Sequence, residues 1–401
     1  MMNPTSIPDP GSAIEARFLA SLQSVLPTQR PIVLHEPLFK GNESSYVQEC
    51  IDTGWVSSVG KFVDRFERDL AEMTGSRHAV AIVNGTAALH VGLKLAGVAT
   101  GDEVLVPALS FVATANAVSH CGATPHFVDS SDSNLGLDPQ ALREYLGIVA
   151  ERTGDGLRNK STGRRLAAVV PMHAFGHPVD MDGLLAISRD FSLPIVEDAA
   201  ESLGSLYHGR HTGTFGICGA LSFNGNKIVT TGGGGALLIQ DSALAQHAKH
   251  ITTTAKRPHQ WAFFHDEVAW NYRMPNLNAA LGCAQLERLD AFVAAKRQLA
   301  QRYQMTFAND PDIRFVAEPP GCRSNYWLAT VALRHPSIEL RDKLLAVAND
   351  TGLMVRPAWT LLNKLPMYQA CPSAPLTVAT QLEGAIINLP SGPAVALGVG
   401  S

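Results

Sequence analysis

Between residues 78 and 240 the chain alternates short, continuously apolar runs with segments of helical period. No other feature restricts the possible folds as strongly. The apolar runs are HAVAIVN (78–84), EVLVP (103–107), TPHFVD (124–129), LAAVVPM (166–172), LPIVED (193–198), GALSF (219–223) and GALLIQ (235–240). Between many of them lie helix-period segments such as TAALHVGLKLAG, FVATANAVSHCG and MDGLLAISRDF. A strand that is apolar at every position is covered on both faces, and strands separated by helices pair in parallel. The expected class is therefore α/β, built on a large, mostly parallel sheet domain.

The insert from about 130 to 165 predicts a helix over Pro139 to Arg152. It is followed by a polar loop, TGDGLRNKSTGRR, expected as a flexible surface segment. After about residue 285 the pattern changes. A long helix over Leu289 to Phe307 precedes a proline-containing loop, a strand YWLATVAL (326–333), a helix IELRDKLLAVANDTG (338–352) and a short strand LMVRP (353–357). This predicts a second, smaller C-terminal α/β domain. The expected division is an arm or packing helix at 1–30, with its helix over Ala13 to Val25, a large domain at 31–285 and a small one at 286–401.

Composition excludes several function classes. The net charge over 401 residues is −4, so no global basic field for nucleic acid is present. No apolar run reaches the roughly 18 residues of a membrane span. The opening MMNPTSIPDPGSAIEARF has no basic stretch followed by an apolar one, and a cytoplasmic protein is expected. The six cysteines are scattered without a CxxC pair, as reduced thiols would be. His173 and His177 have a four-residue spacing, but Phe175-Gly176 and Pro178 interrupt the helix that metal ligation would need, so no metal site is expected.

Three segments carry chemistry. Asn84-Gly85-Thr86-Ala87 follows a strand and opens a helix, where unpaired N–H groups and the helix dipole form an anion site; the same residues also suit an ordinary capped turn. Asp198 in IVEDAAES stands at the C-terminal end of a buried strand, either facing a ligand or capping a helix. Lys227 in SFNGNKIVTTGGGG lies between apolar strands. A desolvated lysine there becomes a nucleophilic amine, whereas a lysine taken singly is usually a solvated surface group. In combination these give what pyridoxal 5′-phosphate requires: an anion pocket, a carboxylate for the pyridine nitrogen and a lysine for the aldehyde. Phe111, opening another helix, is placed to stack on the ring or to pack in the core.

At this point the sequence resembles the DegT/DnrJ/EryC1/StrS family of sugar aminotransferases, from about Leu34 to Ser391. The resemblance rests on GWVSSVGKFVDRFE (54–67), NGTAALH (84–90), VPALSFVATANAV (106–118), PMHAFGHPVDMD (171–182), VEDAAESLGS (196–205), SFNGNKIVTTGGGG (222–235), NYRMPNLNAALGCAQLERLD (271–290) and INLPSG (387–392). It implies the aspartate-aminotransferase fold (PLP fold type I) and a homodimer with shared active sites. Lys227 then forms the Schiff base and shuttles protons, and Asp198 pairs with the pyridine nitrogen. Gly85, Thr86 and Ala87 hold the phosphate by backbone groups, Ser222 adds its hydroxyl, Phe111 stacks on the ring and Glu201 also lies at the cofactor. Asn271 is expected to reach the phosphate bound by the other subunit. Trp55, His173, Asn325, Tyr326, Arg356 and Trp359 are expected to face substrate.

The implied reaction moves an amino group from L-glutamate to C4 of a nucleotide-linked 4-keto-6-deoxy sugar. Many members have Gln where this chain has Glu201. Glu there, with FNGNK and TTGGGG, is similar to the branch acting on UDP-2-acetamido-2,6-dideoxy-4-hexulose in bacillosamine and legionaminic acid synthesis. The alternative is the perosamine-type branch, acting on GDP-4-keto-6-deoxymannose. The family also often has His four residues after the Trp of its late substrate loop, where this chain has Asn363. A PLP-dependent sugar dehydratase has His in place of the lysine, and Lys227 argues against it. A non-catalytic regulator of the same fold needs none of Lys227, Asp198 and Ser222, all of which are present.

Overall fold

The computed structural model of the protein describes residues 10–154 and 156–398. The predicted apolar runs form strands β1 (His78–Ile82), β2 (Glu103–Pro107), β3 (Thr124–Val128), β4 (Leu166–Val169), β5 (Val196–Asp198), β6 (Cys218–Ser222) and β7 (Gly235–Ile239). One group of strands has the order β1-β7-β6-β5 and another the order β3-β2-β4. Parallel bridges Val169↔Ile195 and Met172↔Asp198 join them, so the sheet reads β1-β7-β6-β5-β4-β2-β3 across its width.

Both faces are covered, as the continuous runs require. Along β1, Ala79 and Ala81 enter one core cluster while Val80 and Ile82 enter the other. The pairs β2–β3, β2–β4 and β5–β6 are parallel. β7 is the exception, running antiparallel to both β1 and β6. The chain passes from β6 to β7 with no crossover helix, and without one the following strand must return in the opposite direction.

A second sheet lies in the C-terminal part: β8 (Ile313–Phe315), β9 (Ala329–Leu333), β10 (Arg356–Pro357) and β11 (Ile386–Leu389). Its order is β8-β9-β11-β10 and every pairing is antiparallel. The predicted strand over 326–333 starts only at Ala329. Tyr326 is turned into the left-handed region (φ 46°) and the Trp327 N–H is held by the Asn325 side chain, which diverts 324–328 toward the site below.

Helix α1 (Pro10–Val25) is a packing helix. Phe18 and Leu22 are fully buried, and Arg17 pairs with Asp310 and Asp312. Residues 1–9 of the expected arm lie outside the described residues. The segment expected to be a flexible loop is a hairpin instead, Ala150–Thr153 against Gly156–Asn159. It is tied down just beyond its second strand, where Asn159 and Thr162 donate to the buried Glu103 carboxylate at 2.9 and 2.6 Å. The preceding helix accordingly stops at Val149. No helix among the described residues is long and apolar enough to cross a membrane.

Candidate active site

Helix α2 (Gly85–Leu95) starts directly after β1, and helix α3 (Val112–His120) starts after β2. Their N-termini and the C-terminal ends of β5 and β6 enclose a cavity of about 320 Å³. Ligands of open α/β sheets bind at such strand ends. Gly85 and Thr86 line it from the first turn of α2, where backbone N–H groups lack intrahelical acceptors. Asn84 caps this helix, its Oδ1 accepting the Ala87 N–H at 2.8 Å. Ala87, expected to offer that N–H to a phosphate, is therefore committed to the cap. Gly85, Thr86 and Ser222, at the end of β6, line the cavity where an anion would meet the first turn of α2. Glycine is required at 85, because a β-carbon there would stand 2.8 Å from Ser222 Cβ. The last glycine of the TTGGGG run, Gly235, is required for a similar reason: its β-carbon would meet the Asn84 carbonyl at 2.5 Å.

Asp198, at the end of β5, is 2% exposed. Oδ2 accepts the Thr114 hydroxyl of α3 at 2.7 Å, and Oδ1 accepts the Ala200 N–H at 3.2 Å. Burial pushes its carboxyl upward, and these two donors, with the more distant charge of Lys227, pull it back. No ion pair reaches it among the described residues. A buried carboxylate without a cation calls for one.

Lys227 extends into the cavity from the loop after β6, its side chain 11% exposed. Nζ donates to Glu201 Oε1 at 3.2 Å and sits 4.1 Å from the centre of the Trp327 ring. Glu201 is buried, and its second oxygen accepts the Phe175 N–H at 2.9 Å. Burial pushes the Glu201 carboxyl up to about 7, against the pull of Lys227. Opposite this pair, Phe111 and Trp359 form an aromatic wall with ring centres 6.4 Å apart, and Trp359 stacks on Phe175 at 4.7 Å.

The pattern that describes the DegT/DnrJ/EryC1/StrS aminotransferase family matches residues 37–398. The chain belongs to this family. It is 36% identical over 361 residues to a GDP-perosamine synthase of Caulobacter vibrioides, covering 88% of this chain and 91% of that one. A GDP-perosamine synthase of Vibrio cholerae is 35% identical over 369 residues, covering 90% and 94%. Among solved structures, the aminotransferase TlmJ from Streptoalloteichus hindustanus superimposes with a TM-score of 0.80 at 29% identity, covering 90% and 93%.

The chain is thus a PLP-dependent sugar aminotransferase, and its cavity fits the cofactor on its own evidence. Asp198 has no cation in contact with it among the described residues, a place that a protonated pyridine nitrogen would fill, and Lys227 offers an amine inside the cavity. Gly85 and Ser222 leave a cradle that a single added carbon would fill. Pyridoxal phosphate bound there supplies an electron sink that acidifies the carbon bearing the amino group. With the cofactor bound, Lys227 would be placed to meet the aldehyde, Asp198 to face the ring nitrogen, Ser222 and the α2 N-terminus to hold the phosphate, and Phe111 to cover the ring.

Of the residues expected to face substrate, Trp359 lines this DegT-family cavity. The others lie elsewhere in the protomer. His173 is fully buried; Nε2 meets Glu197 at 3.1 Å and Nδ1 accepts the Val179 N–H. Asn325 is fully buried as well, donating to the Glu201 and Leu203 carbonyls at 2.9 Å each and accepting from Trp327 N–H. It positions the site from behind. Tyr326 packs against His177 and accepts the Glu318 N–H. Arg356, on the edge of the small sheet, binds Asn349 Oδ1. Trp55 is 57% exposed on a separate cleft with Lys61 and Asn276. Asn271 is exposed and accepts from Arg273, away from this protomer's cavity.

Two contributors were absent from the sequence expectations. Thr114 follows Phe111 by three residues, so one turn of α3 presents both to the site; that i, i+3 relation was the available signal. Trp327 gave none, because it read as the interior of a strand.

Proposed function

We propose that this aminotransferase moves an amino group from L-glutamate to C4 of GDP-4-keto-6-deoxymannose, acting in the cytoplasm as a homodimer for surface polysaccharide or glycan synthesis. The observation that carries the choice of nucleotide is the relatedness to GDP-perosamine synthases along nine-tenths of the chain. The UDP-linked reading leaned on Glu201 together with FNGNK and TTGGGG, and the Glu201 carboxylate is engaged with Lys227 and the Phe175 N–H. Its identity therefore reflects the chemistry of the lysine and says nothing about the nucleotide. The homodimer rests on the family resemblance, in which Asn271, exposed in this protomer, reaches the site of the other subunit.

The purified protein with pyridoxal phosphate and glutamate, offered GDP-4-keto-6-deoxymannose and UDP-2-acetamido-2,6-dideoxy-4-hexulose in parallel, should release 2-oxoglutarate with the GDP sugar. Faster turnover of the UDP sugar would reverse the assignment.

A further inference from the structure

Glu201 is fixed in its contact with Lys227 from several sides. Oε1 lies 3.2 Å from Nζ, and Oε2 accepts the Phe175 N–H at 2.9 Å. Phe175 stands in the left-handed region (φ 55°) with its ring stacked on Trp359, so this donor is itself immobilised. Asn325 holds the Glu201 carbonyl from behind and, through its other end, the N–H of the Trp327 whose ring covers Nζ. The charged groups facing the carboxyl are Lys227, which favours the anion, and Asp198, which opposes it. Burial opposes the anion most strongly and pushes the carboxyl up to about 7. The carboxyl is thus easier to protonate than an exposed one, and it lies at hydrogen-bond distance from the amine that must lose a proton before it can act as a nucleophile.

We propose that Glu201 is the proton acceptor of Lys227: as the lysine bonds the cofactor aldehyde, one N–H bond of the ammonium breaks and an O–H bond forms on Oε1. The ion pair becomes a neutral amine and a neutral acid with no change in total charge. The C=N bond then forms, and the two remaining N–H protons leave with the aldehyde oxygen as water. The proton held on Glu201 returns when the lysine is set free. Glutamine at this position would keep an oxygen for the Phe175 N–H but could take no proton, which separates proton holding from shape. The inference rests on the aminotransferase reading of the cavity and is independent of the sugar.

The test needs the cofactor alone. Cofactor-free protein is mixed with pyridoxal phosphate, visible absorbance reports the covalent bond, and infrared difference spectra report carboxyl protonation. Wild type should gain the carbonyl stretch of a buried carboxylic acid together with the visible band. The gain should be larger at about pH 8, where the carboxyl is mostly ionised before mixing, than at about pH 5, where the acid is already protonated. Glu201→Gln should form the visible band without that stretch. A visible band in wild type with no carboxyl gain between about pH 5 and 9, or an equal gain in Glu201→Gln, would overturn the proposal. If the variant does not fold, the wild-type pH series decides alone. No visible band in wild type would overturn the cofactor site itself, and this inference with it.

Discussion

Gly85→Ala tests whether the anion cradle depends on one missing carbon. The new β-carbon would lie 2.8 Å from Ser222 Cβ, 3.2 Å from its Oγ and 3.4 Å from the Leu221 carbonyl oxygen. Carbon pairs settle at about 3.5–4.0 Å, so α2 and β6 must part by roughly 0.7–1.2 Å. Neither side has room. Ser222 is paired with Gly235 across β7, and Gly235 is pressed against the backbone of Asn84 and Gly85. Overpacking of this kind costs about 1–3 kcal/mol. The strain falls on the groups that close around phosphate, so it should appear as about five- to 150-fold weaker cofactor binding. The assay is absorbance titration of cofactor-free protein with pyridoxal phosphate, alongside its thermal melting. Ser222→Gly removes the opposing carbon, so the double variant should bind like Ser222→Gly alone. Wild-type affinity in Gly85→Ala, or a double variant as weak as both losses combined, would refute the steric argument.

Asp198→Asn should retain cofactor and lose turnover by orders of magnitude, since an amide cannot keep the pyridine nitrogen charged; near-normal turnover would reduce Asp198 to a cap for Ala200. Lys296 is buried, donates to the Trp327 and Ser391 carbonyls, and is lowered by burial from 10.5 to about 7. The folded protein therefore binds fewer protons than the unfolded chain between about pH 7 and 10.5, and its stability relative to Lys296→Met should rise with pH in that window, by at most about 1.4 kcal/mol per pH unit. Urea unfolding of both proteins at several pH values checks this, and a pH-independent difference counts against it. If Asn271 acts across the dimer, mixtures of Lys227→Ala and Asn271→Ala protomers should regain activity, because both lesions fall in one site and leave the other intact. Heterodimers that form and stay inactive would place Asn271 in its own subunit.

The sheet was legible because burial on both faces leaves a continuous apolar signature. The direction of β7 was not, since GALLIQ is equally apolar whichever way it runs. Direction is decided by the connection before it, and periodicity does not report that. That Lys227, Asp198, Gly85 and Ser222 gather at one cavity was legible because each stands at a strand end, a helix start or the loop after a strand. Polar residues inside characteristic motifs were harder to read. His173 and Asn325 stand among site residues, yet their side chains are spent on hydrogen bonds inside the protein. A sequence shows that a position is polar but not which way the side chain faces. The polar run after Val149 misled in the same manner, because a hairpin anchored on a buried carboxylate has the composition of a free loop.

Helix α1 also has a consequence for how the chain is made. Arg17 finds its partner Asp310 across 293 residues, and α1 packs on helices Leu289–Thr306 and Ile338–Asp350 near the other end of the chain. At about 5–20 residues per second, ribosomal synthesis delivers that partner roughly 15–60 s after α1 has left the exit tunnel. Throughout that interval Phe18 and Leu22 await the late helices that α1 packs on, while the central sheet, complete by Ile239, can already have folded. Although it precedes the whole central sheet in the chain, this helix is therefore among the last elements to be docked, and during translation it is a natural segment for a chaperone to hold.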